Sequence, residues 1–356
     1  MKEAIVDCNT QVQLVESPVP TPGPGQVRIK VVVAGSNPKD WKIPVYHGST
    51  PMNTGDDIAG YIDAVGPDVT EFKTGDRVAS MHQPGAPHGA YAEYSISGEE
   101  TTFHIPPKTS FEEAATIPLA ALTAATLVFR GLKVPEPWAL NDKPQPQPLV
   151  VWGGASAVGG FAIQYAKRAG FQPIIAIAGR GMEQTRSLLD ESSGDAVLDY
   201  RAGGQSVASS IRGLLKGAPL RYALDAVCQE DSSQTLADLL YPSLAGETPS
   251  RLIVAVPLME AQPDKKGQIV PFDMPLRTDA AFLPVSFIYE SDAGRDFGFV
   301  HARYLSKGLQ DGWLKPHPHK VVSGGLAGIE SGLKDLREGK ASGTKFVYRI
   351  EETLGL

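Results

Sequence analysis

Residues 150–160 read VVWGGASAVGG, and this stretch decides the fold. Apolar β-forming residues run into glycines and small residues, and a helix-forming run, 161–169, follows. This order predicts a strand, a tight turn and a helix. Small side chains at such a turn let the backbone approach a pyrophosphate, whose charge the N–H groups at the helix N-terminus bind. Because Ala157 interrupts the G-x-G-x-x-G pattern, close packing of helix on strand stays open as the alternative.

The next apolar run supports a nucleotide site. Residues 173–179 read PIIAIAG, which predicts a buried parallel strand that ends at Arg180. In a dinucleotide fold an acidic residue at this strand end binds the 2′-hydroxyl of NAD, whereas an arginine pairs with the 2′-phosphate of NADP. The nearest acid, Glu183, lies in the following helix, and Arg180 and Arg186 are the cations in range. The pattern favours NADPH over NADH, with a solvated surface Arg180 as the alternative.

Composition sets the protein class. The 356 residues fit two domains, and 42% hydrophobic and 21% charged residues are typical of a soluble globular protein. The net charge of −7 argues against a nucleic-acid-binding protein, which would carry an excess of basic residues. Two cysteines, Cys8 and Cys228, cannot build a disulfide framework or a cysteine-rich zinc site. The N-terminus is too polar for a signal peptide, and we expect no apolar run of membrane-helix length, which predicts a cytoplasmic protein.

The pattern of predicted secondary structure changes after about residue 110. The first 110 residues carry short strands, 27–33, 60–65 and 77–80 among them, which indicates a partly open β-barrel. Ser110 is a predicted N-cap with Glu112 and Glu113 in the first turn, and an alanine-rich helical region runs from 111 to 132 with a break near Pro118. A proline-rich loop, 134–148, follows.

Strands and helices then alternate, as in a doubly wound α/β sheet. The predicted strands are 149–152, 173–178, 196–198, 222–226 and 252–256. In the tail we predict helices at 297–307 and 327–338 and a strand at 346–350, which return to the first domain. The expected domains are therefore 1–122 with 290–356, and 123–289.

With these motifs in view, the chain resembles the medium-chain dehydrogenase/reductase superfamily over nearly its whole length. The motifs that carry the resemblance, besides the glycine turn, are NPKDWK (37–42), GDDIAG (55–60), FKTGDRV (72–78), LDY (198–200) and SGTK (342–345). The resemblance implies a GroES-like β-barrel domain and a Rossmann domain. Within the superfamily the chain is most similar to fungal zinc-independent members. These are stand-alone enoyl reductases that serve polyketide synthases, and NADPH-dependent quinone and aldehyde reductases.

The chain departs from the zinc-dependent members. Those enzymes carry a cysteine where this chain has Asn37 and a histidine where it has Asp56, and a structural zinc would need four closely spaced cysteines. The remaining histidines lack metal spacing, so we interpret them as surface or packing residues: His82, His88, His104, His317 and His319. We therefore predict no metal site. Asp56 is expected to neutralise Lys39 or Lys42, and Asp40 to fix its loop.

The resemblance also implies cofactor contacts. The residues that would meet the pyrophosphate are Ala155, Ser156, Ala157 and Val158. Those at the adenosine 2′-phosphate are Gly179, Arg180 and Tyr200. The expected contacts from elsewhere in the chain are Lys39, Lys42, Thr123 near the nicotinamide, Ser342 and Gly343. As structural alternatives, Tyr200 caps a strand and Thr123 hydrogen-bonds within its own helix.

The expected chemistry is hydride transfer without a metal, for which the cofactor supplies the hydride. A carbonyl that no zinc polarises is harder to reduce, whereas hydride addition to a conjugated C=C bond yields an enolate that protein donors stabilise. Tyr46 and Lys42 are the candidate catalytic residues. Thr123, Phe287 and Ile288 are the candidate substrate contacts, and loops 85–89, 138–148 and 287–290 are the candidate pocket walls.

The sequence thus predicts an NADPH-dependent reductase of an enoyl thioester, an enone or a quinone, with a polyketide synthase as a candidate carrier of the substrate. An aldehyde reductase of the same fold is the first alternative, and a non-catalytic NADPH-binding sensor is the second. The natural substrate and the choice between monomer and homodimer stay open.

Overall fold

The computed structural model describes residues 1–47, 50–139, 146–229, 231–242, 249–255 and 278–356. These residues form two compact units. The β-rich unit comprises Met1–Leu122 and Ser286–Leu356, and the parallel-sheet unit comprises Thr123–Val285. The second boundary lies ahead of the expected residue 290, so the segment 286–289 belongs to the β-rich unit.

The β-rich unit is built around one long strand. Its strands are β1 (Lys2–Val6), β2 (Val12–Glu16), β3 (Gln26–Gly35), β4 (Asp57–Val65), β5 (Arg77–Met81), β6 (Tyr94–Gly98), β7 (Thr102–His104), β14 (His319–Val321) and β15 (Lys345–Arg349). The main sheet has the order β14-β15-β3-β4-β5-β7, with β6 also paired to β3, while β1 and β2 form a separate antiparallel pair. The strands predicted at 27–33, 60–65 and 77–80 are confirmed, and each is longer than predicted.

The tail completes this unit, as predicted. Strand β15 pairs antiparallel with β3 and places Phe346 and Tyr348 in the hydrophobic core. The unit's longer helices are α1 (Lys39–His47), α8 (Asp292–Asp311) and α9 (Ile329–Arg337). The helices predicted at 297–307 and 327–338 correspond to α8 and α9.

The parallel-sheet unit has the doubly wound order. Its strands are β8 (Gln147–Trp152), β9 (Phe171–Ala178), β10 (Ala196–Asp199), β11 (Tyr222–Asp225), β12 (Ser250–Val254) and β13 (Thr278–Phe282). The sheet order is β10-β9-β8-β11-β12-β13, and every pair is parallel. Its helices are α4 (Ala157–Arg168), α5 (Met182–Arg186), α6 (Gly204–Leu215) and α7 (Ser232–Ala237).

The five predicted parallel strands are confirmed with small shifts of their ends; Val256, the expected end of the fifth, lies outside the described residues. Strand β13 was not predicted. Its sequence, TDAAF, mixes polar and small residues and lacks the continuous apolar run of a central strand. An edge strand needs no such run, because it has a neighbour on one side only.

The alanine-rich helical region contradicts one expectation. It begins with a capping box in which Ser110 Oγ accepts from the Glu113 amide at 3.1 Å, and Pro118 starts a second helix. Its helices are α2 (Phe111–Ala114), α3 (Pro118–Ala125) and a π-helical stretch, Thr126–Gly131. The span Phe111–Gly131 has 21 residues and a mean hydropathy of 1.4, so the expectation of no apolar run near membrane-helix length was wrong. The most apolar 18 residues of this span are 89% buried inside the protein, as in a core helix.

The glycine turn explains why α4 begins earlier than predicted. Ser156 is its N-cap, so residues 157–160 belong to the helix and not to the turn. Gly153 adopts a φ of 81°, which favours glycine. A Cβ added at Gly159 would lie 2.2 Å from the carbonyl oxygen of Gly153, so the helix packs directly on the turn.

We therefore expect Gly159→Ala to lower the free energy of unfolding by about 1–3 kcal/mol, since the extra methyl group forces the helix away from the turn. Gly213 in α6 is the matched control, because a Cβ added there meets nothing within 4 Å. Gly213→Ala should raise stability by about 0.5–1 kcal/mol. Urea unfolding of both variants checks this, and equal effects would show that the turn has room for a side chain.

Candidate functional site

The turn after β8 presents backbone donors. Ser156 Oγ accepts a hydrogen bond from the Gly159 amide at 3.0 Å, which caps the helix. The first-turn amides of Ala157 and Val158 have no acceptor in the described part of the chain. Residues 155–158 are half-buried and lie together at this turn. Unpaired amides at the start of a helix attract an anion such as a pyrophosphate.

The strand order reverses beside this turn. Strands β8 and β11 are neighbours, and a Cβ added at Gly153 would lie 2.7 Å from Val227 Cγ1. Ligands of open α/β sheets bind at such a switch point. At the end of β11 the buried Asp225 carboxylate accepts hydrogen bonds from Ser232 Oγ at 2.5 Å and Ser233 Oγ at 2.6 Å. It also accepts from the Cys228 amide at 2.8 Å, so it fixes the loop beside the turn.

Sequence reasoning missed this aspartate, although an acid at the end of a predicted strand is a readable signal. Asp225 closes the run YALD, and the pair Ser232–Ser233 follows seven residues later. Nothing in the sequence shows that these hydroxyl groups turn back to that carboxylate.

The ends of β9 and β10 bring three expected residues together. A Cβ added at Gly179 would lie 2.4 Å from Tyr200 Cε1, so the tyrosine ring covers the strand end. Tyr200 is 44% exposed, and Arg180 is exposed. Asp199 is turned away to Arg201, whose Nε lies 2.8 Å from one carboxylate oxygen. The local arrangement thus presents a cation and a phenol at the predicted 2′-phosphate position.

Arg186, the second cation considered for this position, is engaged elsewhere. Its guanidinium pairs with Glu183 at 2.9 Å and with Glu191 at 3.5 Å. Two carboxylates thus neutralise Arg186.

In the β-rich unit, a buried ion cluster surrounds Lys39. Its Nζ lies 2.8 Å from Asp40 Oδ1, 2.6 Å from Asp56 Oδ2 and 2.6 Å from the carbonyl oxygen of Thr54. The expected neutralisation of a lysine by Asp56 is confirmed, with Lys39 as the partner. Three protein oxygens surround an ammonium that has three N–H bonds. We therefore withdraw Lys39 from the expected cofactor contacts.

A second buried cluster holds Asn37. Its Nδ2 donates to Asp57 Oδ2 at 2.7 Å, and its Oδ1 accepts from Lys345 Nζ at 3.1 Å. Lys345 also pairs with Asp57. Asp40 Oδ2 accepts from the Asn37 amide at 2.8 Å and from Tyr91 OH at 2.7 Å. The expectation that Asp40 fixes its loop is confirmed.

Burial dominates the electrostatics of these clusters. It raises the pKa of Asp56 to about 7, although Lys39 opposes the shift. It also raises the pKa of Asp40 against the effect of Lys39. The pKa of Tyr91 rises well above its usual value through burial and the neighbouring Asp40. The phenol therefore stays protonated and donates.

A catalytic zinc does not fit these residues. Asp56 is paired with an ammonium, which repels a divalent cation, and both polar atoms of the Asn37 amide are engaged. Within the described ranges, no group of three or more His, Cys, Asp or Glu residues is placed to hold a metal.

Helix α1 carries the two candidate catalytic residues. Tyr46 is 52% exposed, and its ring lies 5.9 Å from the ring of Trp41. Lys42 Nζ lies 5.9 Å from the same ring. The largely buried Trp41 thus lies beside both residues, and the Lys39 cluster holds the first turn of their helix.

The two expected substrate contacts at positions 287 and 288 differ in burial. Ile288 is fully buried, and a Cβ added at Gly298 would lie 2.7 Å from its Cγ2, so its assignment to the substrate wall was wrong. It fills the space beneath α8. Phe287 is half-buried, with its ring 5.3 Å from that of Phe297. Tyr289 was expected only as part of the wall segment 287–290, and its hydroxyl donates to the carbonyl of Met81 at 2.7 Å.

Two expected wall segments meet at one cavity of the β-rich unit. Its volume is about 600 Å³, and its lining includes Ala86, Pro87 and His88 from loop 85–89, and Tyr289 from the segment 287–290. In the third expected segment, 138–148, residues 140–145 lie outside the described residues.

The remaining expected cofactor contacts are placed as follows. Thr123 is buried in α3, with 7% of its surface exposed. Ser342 is exposed and Gly343 is half-buried, directly before β15. Their roles as cofactor contacts stay predictions.

The packing role of the histidines is confirmed for the buried ones. His82 Nδ1 lies 2.7 Å from the carbonyl of Ile96, and burial lowers its pKa. Burial lowers the pKa of His317 to about 4. The His104 ring lies 4.8 Å from that of Phe72.

Comparisons with known proteins agree with this geometry. Residues 23–107 match the alcohol dehydrogenase GroES-like domain. The chain is 42% identical over 329 residues to the trans-enoyl reductase fsr4 of Gibberella fujikuroi, a match that covers 92% of each protein. Its fold is similar to that of a putative zinc-dependent alcohol dehydrogenase from Rhizobium etli, at 23% identity and a TM-score of 0.77 over 100% and 99% of the two chains. The CurK enoyl reductase has a TM-score of 0.72 at 21% identity over 97% and 98%.

The raised pKa of Asp56 predicts a pH-dependent stability. Its ordinary value is 3.8, so between about pH 4 and pH 7 the folded state keeps a proton that the unfolded state has lost. The free energy of unfolding therefore falls as the pH rises through this window, by about 2–4 kcal/mol from this group. Asp56→Asn mimics the protonated form. The stability of Asp56→Asn relative to the wild type should therefore rise between pH 5 and pH 8 in urea unfolding, and a pH-independent difference would contradict the assignment.

Proposed function

Because the chain belongs to the medium-chain dehydrogenase/reductase superfamily, we propose that it is an NADPH-dependent reductase of a conjugated C=C bond that works without zinc. An enoyl thioester is the substrate class we favour, since the fungal relative is named a trans-enoyl reductase. The observation that carries the metal-independent chemistry is the Lys39–Asp56 ion pair, which fills the place where zinc-dependent relatives keep a ligand.

The cofactor fits the parallel-sheet unit. The unpaired amides of Ala157 and Val158 would hold its pyrophosphate. Arg180 and Tyr200 would hold the adenosine 2′-phosphate. When bound, NADPH supplies the hydride. The proposed contacts to its nicotinamide half are Lys42, Thr123, Ser342 and Gly343.

The chain's own residues would control charge and protons. Hydride reaches the β-carbon of the substrate, and the electron pair of the double bond moves towards the carbonyl oxygen as an enolate. Lys42 would stabilise that oxygen, and a well-placed donor in a dry site contributes about 3–4 kcal/mol. Tyr46 would then donate a proton to the α-carbon, or hold the oxygen while water donates. The half-exposed position of Tyr46 on Trp41 supports this role.

The product formed from an α,β-unsaturated aldehyde tests the proposed function. We expect NADPH oxidation to yield the saturated aldehyde, because the enolate pathway needs no polarising metal. An allylic alcohol would instead identify the aldehyde-reductase alternative. NADPH binding without turnover on enals, enones, quinones and enoyl thioesters would favour the sensor. Chromatography of the products separates these outcomes, and heat-denatured protein is the control.

The cofactor preference is tested at Arg180. A charge-assisted contact with a phosphate contributes about 1.5–3 kcal/mol, roughly a ten- to hundredfold effect on affinity. Arg180→Ala should raise the dissociation constant of NADPH by that factor and leave that of NADH within about twofold. Arg186→Ala is the matched control, since Arg186 is already neutralised by Glu183 and Glu191. Equal losses for both cofactors in fluorescence titrations would show that Arg180 supports the fold only.

A further inference from the structure

We infer that the Lys39 ammonium acts as an internal cation, which occupies an oxygen-lined cation site and thereby positions helix α1 with Lys42 and Tyr46. Lys39 is thus a positioning residue. The kinetic consequence rests on the proposed function, whereas the cation site does not.

The site is built from two segments of the chain. Asp40 Oδ1 belongs to the first turn of α1, while the Thr54 carbonyl and Asp56 Oδ2 belong to the segment that leads into β4. The ammonium lies 2.6–2.8 Å from all three oxygens. Asp40 and Asp56 are 0% and 1% exposed, and these two carboxylate oxygens accept no hydrogen bond from any other group in the described part of the chain. Lys39 is therefore their shared counter-ion.

The charge balance shows why a cation is needed. Three buried carboxylates, Asp40, Asp56 and Asp57, lie in the two adjoining clusters with two ammonium groups, Lys39 and Lys345. Without Lys39, two buried carboxylates would lose their partner. A buried charge whose partner has been removed is strongly destabilising, so the two segments would separate or take up protons.

The link to the candidate catalytic residues is structural. Helix α1 begins at Lys39, and Asp40 anchors its first turn to Asn37 and Tyr91. The Lys39 ammonium connects this turn to the segment before β4, because it contacts the Thr54 carbonyl and Asp56. Lys42 and Tyr46 lie further along the same helix, with Lys42 Nζ and the Tyr46 ring each 5.9 Å from the ring of Trp41. A loosened first turn would therefore misplace both residues, and small misplacements reduce turnover strongly.

Chemical rescue tests the cation site. Lys39→Ala removes three carbons and the ammonium, and propylammonium replaces that group. We expect the variant to lose kcat for an enoyl thioester at least tenfold, and propylammonium to restore it at least threefold. Propylammonium should also raise the melting temperature of the variant, whereas tetramethylammonium at the same ionic strength should not. Loss of neither kcat nor stability, or no response to propylammonium, would overturn the inference.

Arg28→Ala is the matched control. The Arg28 side chain is 21% exposed, against 22% for Lys39, and it joins Asp63 and the carbonyl of Pro20, which belong to neither α1 nor the Lys39 cluster. Its removal costs an ion pair in the same unit whose carboxylate, Asp63, is 30% exposed. We expect kcat within about twofold of the wild type; a loss equal to that of Lys39→Ala would show general destabilisation only.

A double-mutant cycle tests whether Lys39 acts through Tyr46. Tyr46→Phe alone should lower kcat at least tenfold, since general acid catalysis contributes about 10²–10⁴-fold. In the Lys39→Ala background the same change should cost less than threefold, because the tyrosine is already misplaced. Fully additive losses would overturn the positioning role.

A double variant and the activity of the wild type complete the test. If Lys39→Ala does not fold, Lys39→Met combined with Asp56→Asn removes the cation together with one carboxylate; we expect a folded protein with kcat reduced at least tenfold, and wild-type kcat would overturn the inference. If the wild type reduces no enoyl thioester or enone, the proposed function fails. The propylammonium-dependent melting temperature of Lys39→Ala still decides the cation site.

Discussion

The buried contact of Lys39 with Asp40 and Asp56 is the interaction on which the candidate site depends. It joins the start of helix α1 to the segment before β4, two parts of the β-rich unit that no regular sheet pairing connects. Burying these charges is costly, and the geometry repays the cost only while the partners stay together. Removal of one partner from such a pair typically costs about 3–5 kcal/mol, a large share of the stability of a domain.

This constraint also directs the chemistry. With Asp56 paired to an ammonium and the Asn37 amide held between Asp57 and Lys345, the site has no vacant ligand set for zinc. In the proposed reaction, the charge that develops would then be stabilised by protein donors. An enolate, whose charge is spread over carbon and oxygen, needs less stabilisation than an alkoxide. The ion cluster and the proposed reduction of a conjugated C=C bond are therefore consistent with each other.

Local signals in the sequence predicted much of the fold. The apolar runs of β8 and β9, the Ser110 capping box and the returning strand β15 each follow from patterns within ten residues. The glycine turn between β8 and α4 was readable for the same reason. Tertiary packing was not: Ile288 looks like a wall residue in the sequence, yet it is buried beneath α8. Lys39 was expected to contact the cofactor, with Asp56 neutralising either Lys39 or Lys42, and only the fold shows that Asp56 and the Thr54 carbonyl both meet the Lys39 ammonium.

The zinc content and turnover of the purified protein, before and after exhaustive chelation, test the central claim most directly. We expect no stoichiometric zinc by elemental analysis and an unchanged kcat with NADPH and an enone after chelation, because Lys39 supplies the positive charge at this position. One zinc per chain, with kcat lost on chelation and restored by added zinc, would contradict the claim.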